Sequence, residues 1–221
     1  SFKLISGKER WRFTGIKGPV VSSPVPYQDD ILFGAWDTHL YSLRNTDGSM
    51  NWKWNNGSTI RNYSPAACVP GVLNDRVYIV APDRYISAID VHTGTTVWRN
   101  NDTRIRESIG FSADGKWIFG KTMQDTVVAY RESGERQQAA WKMHLGFGYE
   151  HVPSMLVEKD GFVFFGTKNG VVYCINPETQ QMVWAHKIDN SMVNTVNVQD
   201  KHTLLVSTMD GKVVLLKAEG Y

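Results

Sequence analysis

The stretch Ile86-Ser87-Ala88-Ile89-Asp90-Val91-His92-Thr93-Gly94-Thr95-Thr96-Val97-Trp98 decides the fold. It holds two runs that are apolar and β-branched but too short for helices, joined by a turn at Thr93-Gly94. Gly94 stands four residues before Trp98, as Gly7 does before Trp11 and Gly48 before Trp52; Gln180 takes that place before Trp184, and Gly134 lies seven residues before Trp141. The five tryptophans Trp11, Trp52, Trp98, Trp141 and Trp184 are separated by 41, 46, 43 and 43 residues. That is the period of a four-stranded propeller blade.

Each repeat carries more than its tryptophan. Upstream lies a hairpin whose first strands are Ile31–Gly34, Val77–Val80, Trp117–Gly120, Phe162–Gly166 and Leu204–Ser207. The second strands are Leu40–Leu43, Ile86–Ile89, Val127–Tyr130, Val171–Ile175 and Val213–Leu216. The turns between them are Asp37-Thr38, Asp83-Arg84, Gln124-Asp125, Asn169-Gly170 and Asp210-Gly211, and Asn, Asp and Gly supply the positive φ that tight hairpins need. A further turn precedes each hairpin, so every unit reads strand, turn, strand, turn, strand, Gly turn, Trp strand. No amphipathic helical pattern competes. A β-sandwich with scattered tryptophans would not keep these features in register. The expected fold is an all-β propeller forming a single domain over residues 1–221, with repeats at about 16–57, 58–104, 105–146, 147–190, and 191–221 plus 1–15.

The segments Leu40-Tyr41-Ser42-Leu43…Asp47-Gly48…Trp52 and Ile86-Ser87-Ala88-Ile89-Asp90…Thr93-Gly94…Val97-Trp98 resemble the repeat of quinoprotein (PQQ-type) propellers, and the likeness spans nearly the whole chain. The family mixes dehydrogenases with binding and scaffold proteins, so the resemblance implies a fold more than an activity. A narrower set of strings is similar to propeller regions that follow a metallophosphoesterase domain in Bacteroidetes-type proteins: Asn62–Cys68, Val80–Arg84, Arg106–Gly110 and Lys121–Met123. That likeness implies an accessory domain whose catalytic neighbour lies upstream. The resemblance also implies that the five tryptophans dock between blades, and it implies an extracytoplasmic location in the periplasm or cell envelope.

Closure of the ring has two readings. The last repeat supplies three strands, and Lys8–Phe13 offers a fourth, giving five blades. Yet Phe2–Ser6 itself looks like the end of a third strand, which suits a fragment of a seven- or eight-bladed ring. The start at Ser1, without an initiator Met, reads as a mature or excised segment, so the lack of a signal-peptide pattern does not locate it.

Little in the composition points to catalysis. A net charge of +2 with no basic run of five argues against nucleic acid as a partner. No apolar run reaches 18 residues, so no transmembrane segment is expected. Cys68 and Cys174 sit apart in apolar runs, as buried small hydrophobes. PQQ enzymes need an acidic and amide calcium site and often adjacent cysteines, and neither pattern is here, so no cofactor and no metal site is expected. The six His stand singly in different repeats, and no P-loop, GxSxG or HExxH occurs.

Binding is the stronger reading. Loops on a rigid scaffold commonly carry function, and one loop face should present Trp36, Arg61, Arg84, Arg104, Arg106, Glu107, Tyr149, Glu150 and His151, with Asp37, Tyr85, Asp125 and Lys168 beside them. Trp, Tyr and Arg are the usual interface anchors. Arg61, Arg104 and Arg106 suit a carboxylate or phosphate, so the expected partner is a protein or a small anionic ligand. The competing reading pairs Arg61 and Arg106 with Glu107 or Glu150 as a purely structural network. An indole buries a large area and its N–H needs an acceptor. Truncating a docking tryptophan to alanine is therefore expected to cost about 3–5 kcal/mol, measured by denaturant unfolding.

Overall fold

A computed structural model describes residues 1–132, 138–151 and 154–219; Gly134 and Gly220-Tyr221 lie outside them. Ser1–Arg99 and Asn100–Tyr221 form two compact units. Among the described residues all regular structure is β except one 3-10 turn at Arg61–Tyr63, and the strands fall into four sheets of four and one of three.

The first unit holds β1 (Val25–Tyr27), β2 (Asp30–Gly34), β3 (His39–Arg44) and β4 (Met50–Asn55), followed by β5 (Gly71–Leu73), β6 (Arg76–Val80), β7 (Ile86–Asp90) and β8 (Thr96–Asn100). Each set of four forms one sheet in chain order. The second unit holds β9 (Ile105–Phe111), β10 (Trp117–Thr122), β11 (Gln124–Arg131) and β12 (Ala139–Tyr149); then β13 (Val157–Lys159), β14 (Phe162–Gly166), β15 (Val171–Asn176) and β16 (Gln181–Lys187); and last β17 (Val193–Asp200), β18 (Thr203–Thr208) and β19 (Val213–Lys217). The expected hairpins coincide with β2–β3, β6–β7, β10–β11, β14–β15 and β18–β19. Their turns place Thr38, Arg84, Asp125, Gly170 and Gly211 at φ between 61° and 83°.

Cross-strand register explains the burial. The second, third and fourth strands of a sheet align one residue each in a row: Leu32–Ser42–Trp52, Phe119–Ala129–Trp141 and Phe164–Cys174–Trp184. The small third-strand residue leaves room for the indole to fold over it. Ring centroids of Trp141 and Phe119 are 6.1 Å apart, and those of Trp184 and Phe164 are 6.0 Å apart. On the opposite face aromatic pairs stack, Phe33 on Tyr41 at 5.4 Å and Phe165 on Tyr173 at 5.2 Å. In the second unit the two faces join neighbouring sheets. Trp141, Met143 and Phe147 pack with Val163, Phe165 and Tyr173, while Phe164, Val172 and Cys174 pack with Val193, Leu204 and Val206.

The glycines before Trp52 and Trp98 have their reason in the preceding repeat. A Cβ on Gly48 would lie 2.4 Å from the Trp11 indole, and one on Gly94 would lie 2.7 Å from that of Trp52. Both glycines also adopt positive φ, 75° and 70°. With the turns this close, Trp11 Nε1 donates to the Asn45 carbonyl and Trp52 Nε1 to that of Val91, each at 2.8 Å.

The expectation of an acceptor for every indole is met differently elsewhere: Nε1 of Trp98, Trp141 and Trp184 is buried without one among the described residues. For Trp141 the corresponding turn carries Gln180 at φ 53°, a side chain where the first two turns carry glycine.

Lys8–Phe13 has a local partner. These residues are already turned back on Ser1–Lys3, with Phe2 bridging Glu9, Lys3 N–H bonded to the Lys8 carbonyl and Arg10 N–H to that of Ser1. The turn repeats that of the first sheet: Gly7 N–H to Lys3 O and Gly48 N–H to Arg44 O are both 2.8 Å. So Phe2–Ser6 does read as the end of a third strand, and Trp11 and Phe13 pack beside Phe33, Tyr41 and Leu43.

Gly94→Ala should combine the positive-φ cost with a steric clash, lowering stability by roughly 2–4 kcal/mol in urea unfolding. Gly57→Ala, at φ 85° with open space around it, should cost only about 1 kcal/mol. Equal losses would remove the docking explanation.

Candidate functional site

The hairpin turns and inter-sheet loops place the expected residues in two groups, one in each unit. In the first unit Trp36 is half-buried in the β2–β3 turn, its N–H bonded to the Pro19 carbonyl at 2.9 Å. Asp37 beside it is structural. Burial opposes its charge, but hydrogen bonds from Lys17 N–H (2.8 Å), the Tyr41 hydroxyl (2.7 Å) and His39 N–H outweigh that and hold its carboxyl below the ordinary value. Arg61 is exposed and donates to the Lys17 carbonyl at 3.0 Å. Arg84 is exposed in the β6–β7 turn. The anchor there is a pair that sequence reading missed: Arg99 donates to Asp83 at 2.6 Å, with its guanidinium 4.4 Å above the Tyr85 ring.

In the second unit Arg104 is exposed ahead of β9, and Arg106 pairs with Glu107 at 3.1 Å. This is the structural pairing weighed from sequence. Glu107 is buried at φ 53°; burial pushes its carboxyl above the ordinary value, and Arg106 partly opposes the shift.

Glu150 does not face solvent. Its carboxylate accepts Lys168 N–H at 2.7 Å and lies 3.9 Å from the ammonium of Lys121, both side chains 1% exposed. Lys121 also donates to the Gly166 carbonyl at 3.0 Å, and Ser154 links the Ser108 hydroxyl to Gly166 N–H. These bonds tie β9 and β10 to β14 through polar groups that would each be costly to bury alone. Sequence gave no hint of it, because Lys121 ends an apolar strand and its partner is 29 positions on.

Above this buried knot the chain turns outward. Gly146 and Gly148, at φ 74° and 77°, lie where β12 shifts register against β11, so Phe147 enters the core while Tyr149 faces solvent. Tyr149 is 55% exposed. Its ring stacks on His151 at 5.7 Å and lies 5.1 Å from the Lys168 ammonium. The structure thus brings Tyr149, His151 and Lys168 together on the surface and puts Glu150 beneath them.

Comparison with known proteins gives the lineage. The sequence matches the PQQ_2 family, outer membrane protein assembly factor BamB, over residues 2–135 and 124–220. It is 24% identical over 197 residues to the outer membrane protein assembly factor BamB of Escherichia coli strain K12 and to that of Shigella dysenteriae serotype 1, covering 87% of this chain and 48% of each relative. The chain therefore spans about half the length of the curated relatives it matches. Among solved structures, BamB from Moraxella catarrhalis superposes with a TM-score of 0.70 at 17% identity, covering 97% of this chain and 62% of that one. The designed Ika8 protein gives 0.77 at 15% identity, over 96% and 62%, and the WD40 propeller domain of Doa1 gives 0.70 at 9%, over 89% and 63%. These likenesses show a β-propeller fold. They carry no link to metallophosphoesterases.

The buried ammonium makes a testable claim about pH. Burial pulls Lys121 down to about 8 from its ordinary 10.5, and Glu150 only partly resists. Below pH 8 both folded and unfolded chains hold the proton, so the folded state bears the full cost of the buried charge. Between pH 8 and 10.5 the folded chain sheds it first and the cost is relieved. Wild type should therefore gain urea resistance relative to Lys121→Met across that window, and a pH-independent difference between the two would refute the assignment. On its repeat, its indole docking and its sequence match, this chain belongs to the PQQ_2 family of outer membrane protein assembly factor BamB-type propellers.

Proposed function

We propose that this chain is a non-catalytic binding module that serves the assembly of outer membrane proteins, working outside the cytoplasm as part of a longer protein. The observation that carries the binding site is the Tyr149–His151–Lys168 group: an exposed aromatic ring flanked by a cation, held on a buried polar base. Preorganisation of this kind lowers the entropic cost of docking, and Tyr is a frequent interface anchor. The group suits a protein partner with an acidic or carbonyl-rich strip, and the exposed Arg104 adds positive charge in the same unit. No described helix is long and apolar enough to cross a membrane.

The test is capture from envelope extract by immobilised wild type and by a Tyr149→Ala, Lys168→Ala variant of unchanged thermal midpoint. Loss of one hot spot of about 2 kcal/mol should reduce retention of an outer membrane assembly partner roughly 30-fold. Equal retention would move the site off this loop face. Saturable uptake of PQQ with calcium, seen by calorimetry, would overturn the non-catalytic reading.

A further inference from the structure

Tyr149, Glu150 and His151 are consecutive, and their exposure alternates: both rings lie at the surface, and Glu150 between them is 2% exposed. Alternation is what an extended chain imposes, so the two rings stack only while the residue between them points inward. Glu150 is fixed through both its main chain and its side chain. Its N–H donates to the Met123 carbonyl at 2.9 Å, beside the β10–β11 turn. Its carboxylate oxygen Oε2 accepts Lys168 N–H at 2.7 Å, in the β14–β15 turn of the next sheet. The main chain of Lys168 is thereby held from the buried side, while its ammonium lies 5.1 Å from the Tyr149 ring. The first unit clamps the same junction with reversed polarity: Asn56, one residue past β4, donates to Asp83 in the β6–β7 turn at 2.7 Å.

We propose, resting on the reading of Tyr149, His151 and Lys168 as the binding group, that Glu150 is its positioning residue: the carboxylate sets where Lys168 stands against the two stacked rings. The competing account is that the β14–β15 turn places Lys168 by itself, through Thr167 N–H to the Val171 carbonyl at 3.0 Å and Gly170 N–H to the Thr167 carbonyl at 3.2 Å. Neither bond engages the Lys168 N–H, which is directed to Glu150 instead. The same carboxylate oxygen lies 3.9 Å from the Lys121 ammonium, and the two duties separate by chemistry. Ion pairing needs the charge. The bond from Lys168 N–H needs only an acceptor, which an amide oxygen also supplies. Replacing Lys121 and the carboxylate together avoids leaving one buried charge alone.

The test compares the wild-type chain with two double variants, Lys121→Met with Glu150→Gln and Lys121→Met with Glu150→Leu. Proton NMR reads the side-chain methylenes of Lys168, which the nearby Tyr149 ring shifts upfield; Tyr149→Leu gives the unshifted reference. The upfield shift is expected in wild type and in the Gln variant and lost in the Leu variant. Exchange of the Lys168 amide should be roughly tenfold faster in the Leu variant, because its N–H has no acceptor there. A shift that survives Glu150→Leu, or one that is lost with Glu150→Gln, would overturn the assignment. A merely structural role would lower the urea midpoint of both double variants and leave the Lys168 shift in place, which also overturns it. Glu150→Met carries the same comparison where the Leu variant does not fold. Partner capture is scored separately. If the Lys168 shift follows Glu150 as expected while the Tyr149→Ala, Lys168→Ala variant still retains the envelope partner, the positioning role stands and the binding reading falls.

Discussion

An indole laid over a small residue and against the turn of the next repeat is the contact from which the remaining order follows. It needs three things at once: a serine, alanine or cysteine under the ring, a bulky second-strand residue at its far side, and a turn without a Cβ. Where all three hold, as at Trp52 with Ser42, Leu32 and Gly94, the indole N–H also finds a carbonyl. Where the glycine becomes Gln180, the ring stays buried but the hydrogen bond is lost. The roughly 43-residue period is the chain length needed to return to this contact, so spacing and packing express one constraint.

Sheets held on both faces make stiff supports, and the loops inherit that stiffness. The aromatic pair Phe165–Tyr173 receives Phe147 edge-on, with centroids 6.0 Å from each. Two glycines then let the next residue, Tyr149, point the other way. Beneath it the Lys121–Glu150 contact ties neighbouring sheets through groups that do not tolerate loss of either partner. A surface aromatic standing on such a base presents a defined shape to a partner, which distinguishes it from the many exposed side chains that stand alone.

Much of this was legible in the chain. The five hairpins, their positive-φ turns and the tryptophan series were read at the right positions, because each depends on residues within one repeat. The arginines were harder. Arg106 and Glu107 are adjacent, so their pairing was open to reading, whereas Arg99 with Asp83 and Lys121 with Glu150 join residues brought together by register between strands or sheets. The segment Lys8–Phe13 had the composition of a strand, and only its hydrogen bonds show that it folds back on Ser1–Lys3.

By itself, the sequence determined the repeat, the strand order within each repeat and the identity of the docking residues, since alternation, turn chemistry and period are local or periodic properties. Tertiary structure alone decided which charges are buried, which tyrosine faces solvent and which described indoles keep an acceptor. Those outcomes depend on the distance between atoms in different repeats, and a shift of one residue in register or one Cβ in a turn changes them without altering the pattern along the chain.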